Sequence, residues 1–336
     1  MNKLVVTAFI VAVFFTFTIG QVQDAYDRVT PQVLYLSIIN LSGLIYILSF
    51  LQVKKVISNL KTNRLFLIYF AYILISGISI IVADNKPEAI ITYSRYLTFF
   101  LTFVIILLIT NFSKLNFTGL FLKLLLISIF IESSAVVYNV IDWVIVNGNE
   151  FARSNDYRSF SANINITAFS LVMKSPVISY YLFKTENKYI MILCCLLFFI
   201  TSSALFFLLT RGAFLAFIMI TVLIFSYKLI KDFKASYKKI LITIIVFMAS
   251  YQLTNNIMST NQSNVIVDRV SSIRLNTEDE SINQRLRFYS AALNSIRTHP
   301  ILGLGLGNWK FVSIKYDSKE MTEYTVPYYA HNDFLQ

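Results

Sequence analysis

The sequence has few charged residues, only nine glycines and five prolines, and only two cysteines. The scarcity of glycine and proline excludes collagen-like and low-complexity chains. Cys194 and Cys195 are adjacent within an apolar run, so neither a disulfide framework nor a spaced zinc site is available. Charged residues make up 14% of the 336 residues, apolar residues make up 56%, and the mean hydropathy is +0.64. A soluble domain is nearer to a quarter charged. The composition therefore predicts a polytopic membrane protein.

Long apolar segments mark the expected membrane spans. A helix needs about 20 mostly apolar residues to cross the hydrocarbon core, because no water is present there to satisfy the backbone. The segments lack the polar–apolar alternation of barrel strands, so we predict an all-α fold. The first segment is long for a signal peptide and lacks a good cleavage site, which favours a retained helix over the secretory alternative. Nine segments meet or approach the required length: 4–20, 33–53, 65–83, 96–110, 117–141, 164–183, 189–209, 212–230 and 240–253.

The spans divide the chain into three parts. Residues 1–253 are expected to form a transmembrane bundle of about nine helices, residues 254–330 an extracytoplasmic loop, and residues 331–336 the start of a further, truncated helix. Short cytoplasmic loops carry an excess of Lys and Arg. With the N-terminus in the cytoplasm, that side holds thirteen basic residues and the short outer loops hold six. We therefore predict a polytopic transmembrane helical bundle with a large, partly helical extracytoplasmic loop. Much of the +11 charge is then a topology signal, and no nucleic acid is expected as a partner.

The two sides differ in their type of basic residue. Twelve of the thirteen cytoplasmic bases are lysines, whereas the outer side, including the large loop, holds ten arginines and four lysines. A planar guanidinium binds phosphate or carboxylate through two parallel hydrogen bonds. The bias fits surface arginines that pair with outer acidic residues. It fits equally well an anionic, phosphorylated substrate on the outer face.

The large loop contains a predicted amphipathic helix. Ser281 and Gln284 have the spacing of a capping box, and Pro300 ends the helical pattern. We expect an apolar stripe and an opposite polar, basic face, so that the helix lies across the membrane surface or covers the bundle. The stripe comprises Ile282, Leu286, Tyr289, Leu293 and Ile296, and the polar face comprises Asn283, Arg287, Ser290, Asn294 and Arg297, with Arg285 at the flank.

Beyond this helix, three of the nine glycines fall within five residues, at Gly303, Gly305 and Gly307. Their spacing is not that of a dinucleotide-binding loop. Glycine permits either a tight turn or a close approach of backbone N–H groups to phosphate, and we favour the turn. Further on, His331 stands where the next span would start. A neutral imidazole is a natural general base for a hydroxyl group, although a lone histidine also fits a structural role.

The charged residues within or at the ends of spans include Arg211, Glu132 and Lys174. Arg211 occupies a two- or three-residue turn between two spans, where it can simply extend to the interface. Glu132 and Lys174 lie deeper and are costly there unless they are partnered. Pro176 beside Lys174 indicates a kinked span that lines a polar cavity. A structural Glu132–Lys174 pair is one interpretation of these residues.

Taken in order, four motifs resemble the O-antigen ligase and polymerase family of bacterial membrane glycosyltransferases. The motif-bearing region covers about 200–336, and the earlier spans match only in number and style. The motifs are Thr210-Arg211-Gly212 at the opening of a span, Arg285-x-x-x-Tyr289 in the large loop, His299-Pro300-Ile301-Leu302-Gly303-Leu304-Gly305, and His331-Asn332-x-x-Leu335.

The resemblance implies a glycosyltransferase of the cytoplasmic membrane whose active site faces the periplasm or exterior. Its donor would be an undecaprenyl-pyrophosphate-linked glycan and its acceptor a glycan or lipid-linked hydroxyl, with no nucleotide sugar, cofactor or catalytic metal. The product would be a lipopolysaccharide or exopolysaccharide. By motif match, His331 is the catalytic base and Arg211, Arg285 and Arg287 bind the pyrophosphate. The supporting residues would be Gly303, Gly305 and Asn332.

The family continues with further spans after the histidine motif, whereas this chain stops five residues past His331. We therefore expect a fragment or truncated product. An alternative from a different class is a transporter or flippase for a lipid-linked or anionic solute. It would use Glu132, Lys174 and the Pro176 kink near the middle of the membrane.

Overall fold

The computed structural model describes residues 1–19, 29–113, 115–146, 154–161, 163–258 and 280–317. Every regular element in these ranges is helical, which confirms the predicted all-α class. The α-helices are α1 (Lys3–Phe14), α2 (Thr30–Phe50), α3 (Val53–Thr62), α4 (Arg64–Ile78), α5 (Lys86–Phe112), α6 (Phe117–Val146), α7 (Ile164–Lys174), α8 (Pro176–Lys184), α9 (Lys188–Leu208), α10 (Arg211–Lys231), α11 (Phe233–Met258), α12 (Glu280–Thr298) and α13 (Trp309–Asp317). Short 3₁₀ turns cover Phe15–Thr18, Ser79–Val82 and Asn155–Tyr157.

Among the described residues, eight helices are long and apolar enough to cross a membrane. They correspond to the second to ninth predicted spans, and the first predicted span is the shorter apolar helix Lys3–Thr18. The expected polytopic helical bundle is confirmed. The fourth span is longer than the predicted 96–110, because α5 begins at Lys86 with polar residues that hydropathy does not detect. Asn85 caps it by accepting a hydrogen bond from the backbone N–H of Glu88 at 3.1 Å.

Asparagine side chains cap several other spans in the same way. The side chain of an N-cap residue accepts a hydrogen bond from a backbone N–H that has no partner inside the helix. Asn63 begins α4, Asn163 begins α7 and Asn187 begins α9, each through such a bond. The starts of these helices are thus encoded locally, whereas their lengths follow from their apolar composition.

The helices form two compact units. The first unit contains α1–α5, α12 and α13, and the second contains α6–α11. In the first unit, α2 packs along α5 through a buried polar network. Asn40 donates to the carbonyl oxygen of Thr98 at 2.9 Å and accepts from the Thr102 hydroxyl at 3.0 Å. The Tyr69 ring of α4 meets the Phe100 ring of α5 edge-on, with centroids 5.1 Å apart. Interhelical hydrogen bonds and aromatic contacts of this kind join helices in lipid, where burial of apolar groups gives little driving force.

The core of the second unit surrounds α9, the most buried of the candidate spans. Small hydroxyl side chains connect it to its neighbours. Ser133 of α6 donates to Thr201 at 3.3 Å, and Ser250 of α11 donates to Ser202 at 3.1 Å. All four side chains are buried, so each hydroxyl satisfies another where water is absent. Small residues also let the helix axes approach closely.

The sixth span is broken, as Pro176 predicts. Helix α7 ends at Lys174 and α8 begins at Pro176, so Ser175 alone separates them. Proline has no N–H to donate, and its ring clashes with the preceding turn. The Ser175 hydroxyl donates instead to the carbonyl oxygen of Val172 at 2.9 Å. The break places Lys174 at the end of a helix inside the bundle of the second unit.

Candidate functional site

Helix α12 is the helix predicted in the large loop. It ends at Thr298, because Pro300 disfavours helical geometry in the residue before it. The backbone N–H of His299 still donates to the carbonyl oxygen of Ser295 at 2.9 Å. The described side chains of α12 that are buried are Phe288, Ala291, Ala292 and Ser295.

This buried face is not the predicted apolar stripe. Leu286, Leu293 and Ile296 of the stripe are 52%, 48% and 39% exposed. Of the two expectations for the stripe, a cover over the bundle does not hold for these three residues, whereas a position on the membrane surface stays a prediction. The physical reason is size, because the two alanines let α12 approach α13 more closely than leucine would. Helix α12 therefore has a packed face, an exposed apolar stripe and a polar face.

Helices α12 and α13 form a small pair. Ala291 and Ala292 pack against Trp309, with Leu304 and Tyr316 at the edge of the cluster. The Thr298 and Tyr316 hydroxyl groups lie 2.8 Å apart and form a hydrogen bond. The pair has a core of its own, so the orientation of α12 follows that of α13.

The segment that joins the two helices is the glycine loop, Gly303–Gly307. Its three glycines have φ values of +60°, +82° and +72°, which L-residues with a side chain rarely adopt. A Cβ on Gly305 would lie 2.6 Å from the Cα of Ala83, and one on Gly307 would lie 2.5 Å from the Thr92 hydroxyl oxygen. The loop thus contacts the turn between α4 and α5, and the start of α5 itself, more closely than any side chain would allow. This geometry agrees with the turn favoured from the sequence.

Asn308 fixes this contact, and sequence reasoning missed it. Its side chain is fully buried, and the backbone N–H of Asn85 donates to its Oδ1 at 2.7 Å. Its Nδ2 donates to the carbonyl oxygens of Asn85 and Leu306, at 3.3 and 3.0 Å. Nearby, the Leu306 N–H donates to the Ser79 hydroxyl at 3.3 Å. The only signal in the sequence is its position directly after three closely spaced glycines.

Two ion pairs add to the same contact. Lys310 lies 2.9 Å from a Glu88 carboxylate oxygen, and Lys315 lies 3.3 Å from one of Asp84. Pairs with this much exposure contribute about 0–1 kcal/mol each. Together with Asn308, they hold the α12–α13 pair at the end of α4 and the start of α5. Both partners of this contact are segments that the basic-residue count assigns to the outer side.

The arginines of α12 point in different directions. Arg285 is exposed, whereas Arg287 is half-buried, with its guanidinium carbon 5.4 Å from the centroid of the Phe288 ring. Residues two apart on an α-helix are rotated by about 200° and do not face each other. The two side chains are therefore presented to different surroundings.

Arg211 belongs to the second unit and begins α10. Helix α9 ends at Leu208, so a two-residue turn separates the spans, as the sequence predicts. Leu209 in this turn has φ +48°, a conformation that costs a residue with a side chain about 1–2 kcal/mol. The Thr210 hydroxyl donates to the Asn165 side chain of α7 at 3.1 Å. The first turn of α10 contains no acidic residue, so Arg211 adds to the positive end of the helix dipole.

His331 and Asn332 lie outside the described residues, as do the rest of the predicted 331–336 helix and much of the 254–330 loop. The expected meeting of His331 with the arginines remains a prediction. The other histidine, His299, is described and exposed at the end of α12. Its Nδ1 lies 2.9 Å from the Thr298 hydroxyl oxygen.

Glu132 and Lys174 form an ion pair between α6 and α7, in the interior of the second unit. Ser128 donates to one carboxylate oxygen of Glu132 at 3.1 Å, and Ser170 donates to the other at 2.9 Å. The Lys174 ammonium also donates to the Ser128 hydroxyl at 2.9 Å and lies 5.2 Å from the centroid of the Phe17 ring. Both charges are thus partnered within the same unit, which fits the structural interpretation.

The described residues include no group of three or more His, Cys, Asp or Glu side chains that could hold a metal ion. Cys194 and Cys195 are free thiols on α9, and Cys194 is buried. Among the described groups suited to bind a ligand are the guanidinium groups, whose natural partners are phosphate and carboxylate.

Comparison with known proteins identifies the C-terminal part of the chain. Residues 196–336 match the family model described as O-Antigen ligase. The matched segment begins within α9 and contains all four motifs, including Arg211, Arg285 and His331. The predicted resemblance is confirmed. No curated protein and no solved structure gives a significant match to the chain.

Proposed function

We propose the following reaction, because residues 196–336 match the O-Antigen ligase family model and the chain is a polytopic membrane protein. The protein transfers a glycan from an undecaprenyl-pyrophosphate carrier to an acceptor hydroxyl. The reaction takes place at the outer face of the bacterial cytoplasmic membrane and serves the synthesis of a surface polysaccharide. The observation that carries the proposal is the family match, since it covers the predicted base and both predicted phosphate-binding motifs.

The chemistry is a displacement at the anomeric carbon of the donor sugar. His331 accepts the proton of the acceptor hydroxyl, and the freed oxygen forms a bond to the anomeric carbon. The bond from that carbon to the pyrophosphate oxygen breaks, and undecaprenyl pyrophosphate leaves with additional negative charge. A positioned base contributes about 10²–10⁴-fold to such a step.

Arginine suits the leaving group of this reaction. Its guanidinium remains charged and donates two parallel hydrogen bonds to phosphate oxygens. Donors that are already in place where charge develops stabilise the transition state without reorganisation, and a low local dielectric strengthens them. We assign this role to Arg211 and Arg285. Arg287, to which the motif match gives the same role, is half-buried beside Phe288 and presented to different surroundings from Arg285, so it is left out of this assignment.

The described contacts support this assignment in two ways. Arg211 stands at the N-terminus of a 21-residue helix, where the backbone N–H groups and the helix dipole also favour an anion. Arg285 is exposed on a helix that the glycine loop and Asn308 fix to the turn between α4 and α5. A fixed helix holds the phosphate-binding arginine in place, and a displacement reaction requires such positioning.

A transporter or flippase is the second candidate, because Glu132 and Lys174 lie within candidate spans. Intramembrane charges often mark a transport path. Here both carboxylate oxygens of Glu132 accept hydrogen bonds within the second unit, and Lys174 neutralises its charge. The ion pair therefore needs no transported solute as a partner. A transporter would lose function in Lys174→Ala and keep it in His331→Ala. A glycosyltransferase would lose function in His331→Ala and keep it in Lys174→Ala, provided that both variants are correctly inserted in the membrane.

The experiment that tests the proposal uses the purified full-length protein in lipid vesicles. The vesicles contain an undecaprenyl-pyrophosphate-linked oligosaccharide and an acceptor glycan. The expected result is release of undecaprenyl pyrophosphate in equal amount to the glycan joined to the acceptor. Movement of the intact donor across the bilayer without transfer would overturn the proposal and favour the transporter.

A further inference from the structure

Helix α3 is an element that the predicted function does not use. It follows α2 after two residues, Leu51 and Gln52, and Asn63 alone separates it from α4. Both neighbours are candidate membrane spans. Connections this short leave α3 no room to extend away from the ends of the two spans. It must therefore lie at the surface of the bilayer, close to its plane.

One side of α3 rests on the first unit. Asn59 accepts a hydrogen bond from the side chain of Asn111, at the end of α5, with a distance of 3.0 Å. Val56, Asn59 and Leu60 are half-buried. These three residues lie within about 100° of one another around the helix axis. The helix is thus held beside the ends of the spans by this one face.

The neighbouring face is apolar and uncovered. Val53 is 58% exposed and Ile57 is 46% exposed. They are four residues apart and form a continuous apolar edge on the helix. At the surface of a membrane, an apolar edge beside spanning helices meets the boundary between headgroups and acyl chains. Because α3 is joined to a candidate membrane span at each end, the bilayer is what covers this apolar edge.

The remaining surface of α3 carries three lysines that no described residue of the first unit neutralises. Lys54, Lys55 and Lys61 are exposed, and none makes an ion pair or side-chain hydrogen bond within the described residues. Lys54 and Lys61 are seven residues apart, which is about two turns or 10 Å, and so share one side of the helix. That side adjoins Val53 and Ile57. Lys55 is rotated by about 100° from Lys54, away from the apolar edge.

We propose that α3 is a surface-bound membrane helix that binds anionic phospholipid headgroups through Lys54 and Lys61. Val53 and Ile57 insert at the level where the acyl chains begin, which places the two flanking ammonium groups at the level of the lipid phosphates. Long lysine side chains extend readily to that level. Lys55 faces the aqueous side and takes no part. The binding site is separate from the residues of glycan transfer.

The first test measures binding of phosphatidylglycerol to the full-length protein in a neutral detergent, by native mass spectrometry. Each lysine near an anionic surface contributes about 1 kcal/mol at moderate salt, which is roughly fivefold in affinity. The double variant Lys54→Gln with Lys61→Gln loses two such contributions. We therefore expect it to bind its tightest phosphatidylglycerol about 25-fold more weakly. Glutamine is a good helix former, so α3 persists.

Lys55→Gln is the matched control, because it removes the same charge from the same helix. It should change the affinity by less than about twofold, since its side is directed away from the lipid. Phosphatidylcholine and inorganic phosphate should bind equally to all variants. Equal losses for Lys55→Gln and for either of the other lysines would overturn the assignment. So would unchanged binding in the double variant.

The second test measures the depth of α3 in phosphatidylglycerol-containing vesicles. Spin labels are placed on Ile57→Cys or on Ser58→Cys, in a background of Cys194→Ala and Cys195→Ala. The label at position 57 should be relaxed more by oxygen, which concentrates in lipid, and the label at position 58 more by a water-soluble nickel chelate. Water-like relaxation at both positions, or shielding of position 57 from both reagents, would overturn the proposal.

Discussion

Two groups of charged residues in this protein differ in whether the fold provides them with partners. In the second unit, Glu132 and Lys174 are paired, and two serine hydroxyls complete the hydrogen bonds of the carboxylate. In the first unit, Arg285 is exposed on α12, a helix that a network of backbone contacts holds in place. The first arrangement satisfies its charges internally. The second fixes the backbone and leaves the guanidinium accessible.

The difference separates structural from functional charge. A buried ion pair is costly to desolvate, so its partners must remain together for the fold to persist. An exposed arginine contributes little to stability, and its placement on a fixed helix is useful only if it meets a ligand. Stability measurements should therefore respond to the first group, and turnover should respond to the second.

The largest effect is expected from the predicted base. His331→Ala in the full-length protein should lower the rate of glycan transfer by about 10²–10⁴-fold, because in the proposed reaction His331 is the group that accepts the hydroxyl proton. The measurement is glycan joined to the acceptor per unit of membrane-inserted protein. His299→Ala is the matched control and should stay within about twofold of the wild-type rate, since His299 serves no step of the reaction. Normal surface glycan in the His331 variant would remove the catalytic assignment.

Breaking the intramembrane pair should give the opposite pattern. Glu132→Ala strands the Lys174 ammonium in the bundle and should lower the free energy of unfolding by about 3–5 kcal/mol. Turnover per folded molecule should be close to normal. Thermal unfolding in detergent checks the first expectation and the transfer assay checks the second.

Two variants sharpen this test. Glu132→Gln combined with Lys174→Met removes both charges together and should recover most of the lost stability. Glu186→Ala is the control, because it removes a carboxylate that lies at the surface. The Glu186 side chain is 95% exposed, and its carboxylate lies 4.0 Å from the Lys239 ammonium. It should change stability by less than about 1 kcal/mol. Loss of turnover in the stable double variant would show that the pair is functional.

Arg285→Ala should lower turnover by about 10²–10³-fold, the usual cost of removing one donor from a developing charge. Stability should be unchanged, because the side chain is exposed. Arg285→Lys should recover only part of the rate, since an ammonium keeps the charge but loses the paired hydrogen bonds. Arg297→Ala, which removes another exposed arginine from the last turn of the same helix, is the control and should be nearly silent. Equal rates for the Arg285 and Arg297 variants would exclude Arg285 from pyrophosphate binding.

The smallest effect concerns the contact that holds α12 and α13. Asn308→Ala leaves the backbone N–H of Asn85 without its partner and removes one of two donors to the Asn85 carbonyl oxygen, so it should weaken this contact by about 1–3 kcal/mol. Hydrogen exchange of residues 83–92 and 303–310 measures the loss directly. Asn294→Ala, exposed on α12, should leave exchange unchanged. Unchanged protection in the Asn308 variant would show that this side chain does not maintain the contact.

The sequence predicted the helical class and the spans well, because length and hydropathy are properties of each segment alone. The break at Pro176 and the turn at Arg211 were equally local. Other features depend on packing between distant segments. The buried face of α12 follows from the partner that its two alanines meet, and hydrophobic periodicity selected the leucines instead. Asn308 is identified only by its contact with Asn85, which is more than two hundred residues away in sequence.

Helix α3 shows a further limit of hydropathy. Its ten residues are too short and too polar to register as a span, so hydropathy leaves nearly all of them in the connection between the predicted spans 33–53 and 65–83. The amphipathic pattern of Val53, Val56, Ile57 and Leu60 was present in the sequence. The pattern indicates a surface-bound membrane helix only when the position of α3 between two spans is known. The family match, by contrast, was predictable because its motifs are linear and fall in a fixed order.

The most direct test of the account is an experimental structure of the full-length protein with undecaprenyl pyrophosphate bound. The distances to measure join the phosphate oxygens to the guanidinium nitrogens of Arg211 and Arg285. We expect charge-assisted hydrogen bonds of about 2.7–2.9 Å from both, with the His331 imidazole facing the same pocket. A structure in which His331 is far from both arginines, or faces the other side of the membrane, would contradict it.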